Sequence, residues 1–312
     1  MRGAHPTWGP RKLHQRLRVL EPERPWPVPS TIGALLTRHG LVRPRRRAPR
    51  WAPVDLPLSV PAAPNDVWTA DCKGEFRLRT GAYCYPLTVA DAYSRFLLGC
   101  TGAATTASAS AARIFRRLFQ TYGLPRVIRT DNGVPFAAPL ALGRLSTLAV
   151  WWIRLGIRPE RIAPGQPQQN GQHERMHRTL KAEATRPASR SWTAQQARFD
   201  SFRAEYNTER PHEALGLQTP ASRYVPSPRP YPRTVPEPEY PAHVRVQRVR
   251  QNGTIKWRGH LVFLSSVLVG EPIGIEDTSP TASQIRFGPV VLGTFDETRT
   301  TFVPGLSWQY SD

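Results

Sequence analysis

Proline divides this chain before any other feature does. Five prolines fall between residues 49 and 64, and eight between 220 and 241. A residue with fixed φ and no amide hydrogen interrupts helices and central strands, so stretches this dense read as extended, semi-rigid linkers. The linkers, taken as 49–64 and 221–241, leave three segments to fold: 1–48, 65–220 and 242–312. At 312 residues the chain is long enough for a real core and for two or three domains.

Charge narrows the partners. Lys and Arg number 43 against 23 Asp and Glu, leaving +20 with Arg dominant. Such an excess favours phosphate backbones, because the guanidinium forks onto phosphate oxygens and releases counterions. An acidic membrane surface is the alternative. However, no apolar run approaches the ~18 residues a spanning helix needs, and the first residues carry no signal-peptide pattern. The odd set of Cys72, Cys84 and Cys100 lacks metal-ligand spacing and suits small buried strand residues of a reducing cytosol. No internal repeat is visible.

In the first segment, residues 11–20 read as a basic helix with Leu13, Leu17 and Leu20. Residues 31–39 read as a second helix, capped by Ser30 and stopped by Gly40. Two short helices ending in a basic arm (Arg43, Arg45, Arg46, Arg47) fit part of a helix-turn-helix unit. No cysteine precedes Cys72, so a zinc-binding head is set aside.

The middle segment reads β-β-β-α-β-α-β-α. Strands are expected from Val67, at 83–90, 96–100 and 126–130, and within 156–162; helices are expected at 107–122, 145–155 and 192–209. The 83–90 and 96–100 strands are joined so briefly that they must be antiparallel. From Asn170 the chain takes helical spacing. Met176, Leu180 and Ala184 form an apolar stripe, and Glu174, Arg178 and Lys181 fall on another face. That stretch alone describes a salt-bridged surface helix equally well. Asp131 at a later strand's exit opens the turn sequence Asp131-Asn-Gly and alone reads as a turn residue, but Asp71 within the first strand changes the weighing, because a lone half-buried carboxylate is costly unless paired or metal-bound. Oxygen ligands of this kind suit Mg²⁺ or Mn²⁺, not zinc.

Four pieces in order carry a resemblance: W-T-A-D-C-K-G, T-D-N-G, Q-N-G-Q-H-E-R-M-H-R-T-L-K and Y-N-T-E-R-P-H-E-A-L-G-L-Q-T-P. Together they resemble the integrase-core (DDE) transposases of bacterial insertion sequences, relatives of retroviral integrases. The resemblance implies an RNase H-like α/β fold, a mixed sheet flanked by helices, with Asp71, Asp131 and Glu174 as the acidic triad. It implies two Mg²⁺ or Mn²⁺ ions, with Asp71 bridging, and DNA strand cleavage and strand transfer in the cytoplasm by a homo-oligomer on double-stranded DNA. Asn170, Arg175, His177, Arg178 and Lys181 are then the phosphate contacts. The closing Asn207-to-Pro220 piece is assigned to packing. Two departures stand out: Asp131 and Glu174 are further apart than is usual, and the chain looks truncated ahead of its first helix. A stand-alone RNase H-like nuclease and an inactive DNA-binding remnant are therefore the alternatives.

The last segment reads as short strands: 244–249, 254–257, 261–264, 272–276, 284–287 and 290–295. Gln251-Asn-Gly-Thr is read as a hairpin turn. A small SH3-like barrel, binding DNA or multimerising, is expected.

Overall fold

The chain begins with α1 (Pro10–Leu20) and α2 (Pro29–Arg38), followed by β1 (Val67–Cys72), β2 (Phe76–Arg77), β3 (Tyr83–Asp91) and β4 (Leu97–Ala103). Then come α3 (Ser108–Tyr122), β5 (Val127–Thr130), α4 (Thr147–Arg154), β6 (Arg158–Arg161), α5 (Gly171–Glu183) and α6 (Trp192–Thr208). Seven strands follow: β7 (Arg245–Arg248), β8 (Thr254–Trp257), β9 (His260–Phe263), β10 (Pro272–Ser279), β11 (Ala282–Phe287), β12 (Val290–Asp296) and β13 (Thr301–Trp308). This computed structural model describes residues 1–42, 58–72, 74–137, 145–163 and 167–308. The arm residues Arg43, Arg45, Arg46 and Arg47 lie outside the described residues. No helix among those described is long and apolar enough to cross a membrane.

One compact unit comprises Met1–Thr105 with Ile162–Pro228. Within it β3 runs antiparallel to β1, β2 and β4, as the short β3–β4 connection demands. Asp91 ties that connection: its buried carboxylate accepts from the Asn65 amide at 2.7 Å and from the Ser94 amide and hydroxyl at 2.7 and 2.6 Å. The sheet's apolar face (Cys84, Leu97, Cys100) packs on Met176 and Leu180 of α5 and on Phe199, Phe202 and Tyr206 of α6. Each such side chain taken fully out of water contributes about 1.5–3 kcal/mol. Cys84 and Cys100 are thus the small buried strand residues expected, Cys72 at the end of β1 is only half-buried, and all three are free thiols.

The N-terminal helices belong to the same unit. Trp8, Leu13, Ile32 and Leu36 make their shared core, while Leu20 at the end of α1 is exposed. His5 and Arg16 reach Glu205 and Glu209 at the end of α6, at 2.8 and 2.7 Å. Ser30 is not the cap of α2. Pro29 takes the first helical turn, where its fixed φ fits and its missing N–H costs nothing.

The other unit comprises Thr106–Arg161 with Arg229–Asp312. Here β5 and β6 pair in parallel. Antiparallel pairing in one unit, parallel pairing in the other and the flanking helices together give the mixed α/β character expected. β13-β12-β11-β10-β7 form one antiparallel sheet, and β8 and β9 a separate hairpin. Asn252-Gly253 does make a tight turn, but β7 pairs with β10 and not with β8. The true hairpin turn is Arg258-Gly259, where both residues take positive φ (44° and 87°) and the two-residue loop matches strand twist.

The proline-rich stretch after Pro228 is not a loose spacer. Arg229 donates to the carbonyls of Pro125, Leu155 and Gly156 at 2.8–3.0 Å, Arg154 donates to that of Pro236 at 2.9 Å, and Tyr231 stacks near Phe119. The apolar face of α4 (Ala149, Val150, Ile153) shares one core with Ile255, Ile273 and Phe287 of the C-terminal strands.

Candidate active site

Alternation along β1 sends Thr69 and Asp71 to one face, and the ladder places Thr88 directly opposite Asp71. α5 presents His173 and His177 to these residues. The two are one turn apart, and with Met176 and Leu180 they complete a single buried stripe. Thr69 Oγ1 lies 2.9 Å from His173 Nδ1, and Thr88 Oγ1 lies 2.6 Å from Nε2 of both His173 and His177. His177 Nδ1 then stands 3.5 Å from Asp71 Oδ2. The rings meet edge to face at 4.7 Å. Burial pushes His173 down to about 3, which keeps its ring neutral around pH 7.

Among the described residues Asp71, His173 and His177 form a group with ligand atoms within 4.8 Å of one another. Glu174, in the first turn of α5, is outside that group and exposed, as are Arg175, Arg178 and Lys181. A carboxylate there is favoured by the helix dipole. Asp131 follows β5 at the expected strand exit, half-buried, and accepts from the Gly133 amide at 3.1 Å, which explains why its sequence reads as a turn.

Two expected phosphate contacts sit differently. His177 is buried against Thr88 and Asp71, because the α5 stripe that carries Met176 also carries position 177. Asn170, just ahead of α5, is likewise buried, and its Oδ1 has no hydrogen-bond partner among the described residues. The closing piece packs as expected. Asn207 clamps the amide and carbonyl of Leu97 at 2.8 and 3.0 Å, and buried Arg210 pairs with Glu183 at 3.3 Å. Sequence reading missed Thr69, Thr88 and His173. The available signal was the spacing His173, Met176, His177, Leu180, which puts both imidazoles on the apolar face.

Two family models, each described as an integrase core domain, match residues 61–167 and 155–220. The insertion element IS476 uncharacterized 39.2 kDa protein of Xanthomonas euvesicatoria is 31% identical over 228 residues, 70% of this chain and 60% of that protein. The insertion element IS407 uncharacterized 31.7 kDa protein of Burkholderia multivorans is 27% identical over 219 residues, 69% of this chain and 74% of that protein. The chain thus spans 60% of the length of the Xanthomonas relative. Among solved structures, the HTLV-2 integrase catalytic core domain in complex with magnesium is similar at 14% identity and a TM-score of 0.41, covering 53% of this chain and 99% of that one. The two integrase core matches run without a gap from residue 61 to 220, just over half of the sequence, and with relatives encoded by insertion elements over more than two thirds of it, the chain belongs to the integrase core family of bacterial insertion-element proteins.

Proposed function

We propose that this chain is the transposase of an insertion element, cleaving and joining DNA strands by metal-dependent phosphoryl transfer. The observation that carries the reading is the integrase core match over residues 61–220, which contains all three acidic positions. Asp71, Asp131 and Glu174 would hold two Mg²⁺ or Mn²⁺ ions. The donors fit: they are carboxylate oxygens on half-buried or exposed side chains, whereas the nearby imidazoles are engaged by Thr69 and Thr88. Such ions, when bound, activate the attacking oxygen and stabilise the leaving one.

The rest is positioning by this chain's own groups. Arg175, Arg178 and Lys181, exposed beside Glu174, hold backbone phosphates of the element end. Arg43, Arg45, Arg46 and Arg47 add contacts, and α1–α2 serve as part of a helix-turn-helix unit. The C-terminal strands act as an SH3-like module for DNA or for a second copy on the DNA. The chain works in the cytoplasm on double-stranded element ends and target.

The test incubates the full chain with Mg²⁺ or Mn²⁺ and duplexes carrying the element's terminal repeats. Joined products are expected. Cleavage without joining would instead mark a nuclease, and chelator-insensitive DNA binding with no cleavage would mark an inactive remnant; either result sinks the proposal.

A further inference from the structure

Beneath Asp71, with both imidazoles neutral, the shortest contacts are satisfied in one direction. Thr88 Oγ1 touches Nε2 of two imidazoles at 2.6 Å each and the Asp71 carbonyl at 3.1 Å, but a hydroxyl has one hydrogen to give. Thr69 lies 2.9 Å from His173 Nδ1 and 3.3 Å from the Ala90 carbonyl. The shorter contact makes Nδ1 the acceptor, so the hydrogen of the His173 ring sits on Nε2 and is donated to Thr88. The contact of Thr88 to His177 Nε2, at 2.6 Å, is shorter than that to the Asp71 carbonyl, at 3.1 Å, so Thr88 passes its own hydrogen to Nε2 of His177. The hydrogen of that ring is then on Nδ1, which faces Asp71 Oδ2 at 3.5 Å. The opposite assignment, with the hydrogen on Nε2 of His177, turns a nitrogen lone pair toward a carboxylate and sets acceptor against acceptor.

We propose that Thr69, His173, Thr88 and His177 form a directional hydrogen-bond chain, and that His177 is the positioning residue for Asp71. Its Nδ1–H holds the Oδ2 side of the carboxylate and so sets how Asp71 offers oxygen to a divalent cation. The inference rests on Asp71 being a metal ligand. It gives a function to the pair of buried histidines, which neither bind phosphate nor ligate metal in this arrangement. Contacts of this sort are often long before loading and tighten on it. A partner that orients a ligand typically changes metal affinity by about 10–100-fold when removed.

Two measurements on the full chain test this. In the metal-free protein labelled with ¹⁵N-histidine, NMR reads which ring nitrogen bears hydrogen. The expected pattern is Nδ1–H for His177, identified by its loss in His177→Asn, and Nε2–H for His173. Mn²⁺ uptake, followed by electron paramagnetic resonance of the free ion, is the second readout. His177→Gln can still reach Thr88 but has no donor at the δ position, and should weaken uptake by about tenfold. His177→Asn keeps an N–H at that position and should recover to within about threefold of wild type. Thr88→Val keeps the shape, removes the relay and should leave His177 in mixed tautomers. An Nε2–H on His177, with no recovery in His177→Asn, would overturn the proposal and make the ring itself a ligand. Unchanged uptake in all three variants would reduce the cluster to packing. If the wild-type chain takes up no Mn²⁺, the metal reading of Asp71 falls, while the tautomer pattern still decides whether the chain of hydrogens is directional.

Discussion

Arg129 and Glu160 offer the sharpest stability test, because a buried ion pair fails in a recognisable way. They stand opposite each other in the parallel register of β5 and β6, Nε to Oε2 at 2.5 Å, with side chains only 10% and 6% exposed. Unit charges about 4 Å apart at an effective dielectric of about 20 attract by about 4 kcal/mol. Removing Arg129 leaves the buried Glu160 with the more distant Arg158 guanidinium at 3.8 Å, and breaking a buried pair in this way costs about 3–5 kcal/mol. Arg129→Met should therefore destabilise the unit containing β5 by about 3–4 kcal/mol. Arg129→Met with Glu160→Met, apolar on both sides, should lie within about 1–2 kcal/mol of wild type. Urea unfolding followed by tryptophan fluorescence reads this, since Trp151, Trp152 and Trp257 lie in the same unit. A single variant costing under about 1 kcal/mol, or a double variant worse than the single, refutes the reasoning. Arg129 also sits two residues before Asp131, so the single variant should depress strand joining before it unfolds the chain.

The remaining expectations are more direct. Glu174→Gln keeps shape but loses charge, so Mn²⁺ uptake and strand joining should collapse while DNA affinity holds or rises slightly; full joining by this variant would reduce Glu174 to a surface residue. Arg178→Ala should do the reverse, weakening duplex binding in a fluorescence titration with Mn²⁺ uptake intact. If six or more phosphates are contacted, the log–log slope of DNA affinity against salt should be about −5 or steeper, and a flat slope would assign the +20 charge to solubility. Burial, with Arg210 close by, holds Lys12 down from 10.5 to about 8. Below pH 8 folded and unfolded chains both carry the proton and the full penalty applies; between 8 and 10.5 the folded chain releases it first, so the penalty fades as pH rises. Lys12→Gln should thus raise Tm at pH 7, with a gain that shrinks toward pH 10.

What could be read in advance was local or periodic. The strand of Asp71, the turn at Asp131 and the helix of Glu174 each follow from a few neighbouring residues, and each formed where expected. The failures share a cause: they depend on partners remote in sequence. Asn252-Gly253 is a sound turn signal, yet strand pairing is settled by which apolar faces meet, and β7 finds β10 across an intervening hairpin. Proline density correctly marks where chain is extended. It says nothing of what that chain lies against, and Arg229, Tyr231 and Pro236 turn out to be held by α3, α4 and the loops around them.

The histidines make the same point for the site. A basic helix invites the reading that every cation on it, His177 included, faces phosphate. Helical spacing argues otherwise. A residue four positions from His173 and three from Leu180 shares their face, and that face packs on a sheet. An imidazole there is affordable only if both nitrogens find partners. For His177 those partners are Thr88 and Asp71, and for His173 they are Thr69 and Thr88. The threonines lie on strands 85 to 104 residues back in sequence from the histidines they meet, brought beside α5 by the ladder that also places Asp71. Neither threonine signals this in its own neighbourhood, since alternating β-branched residues are ordinary strand sequence. The buried polar row and the carboxylate it ends on therefore become visible together, once β1, β3 and α5 are in place.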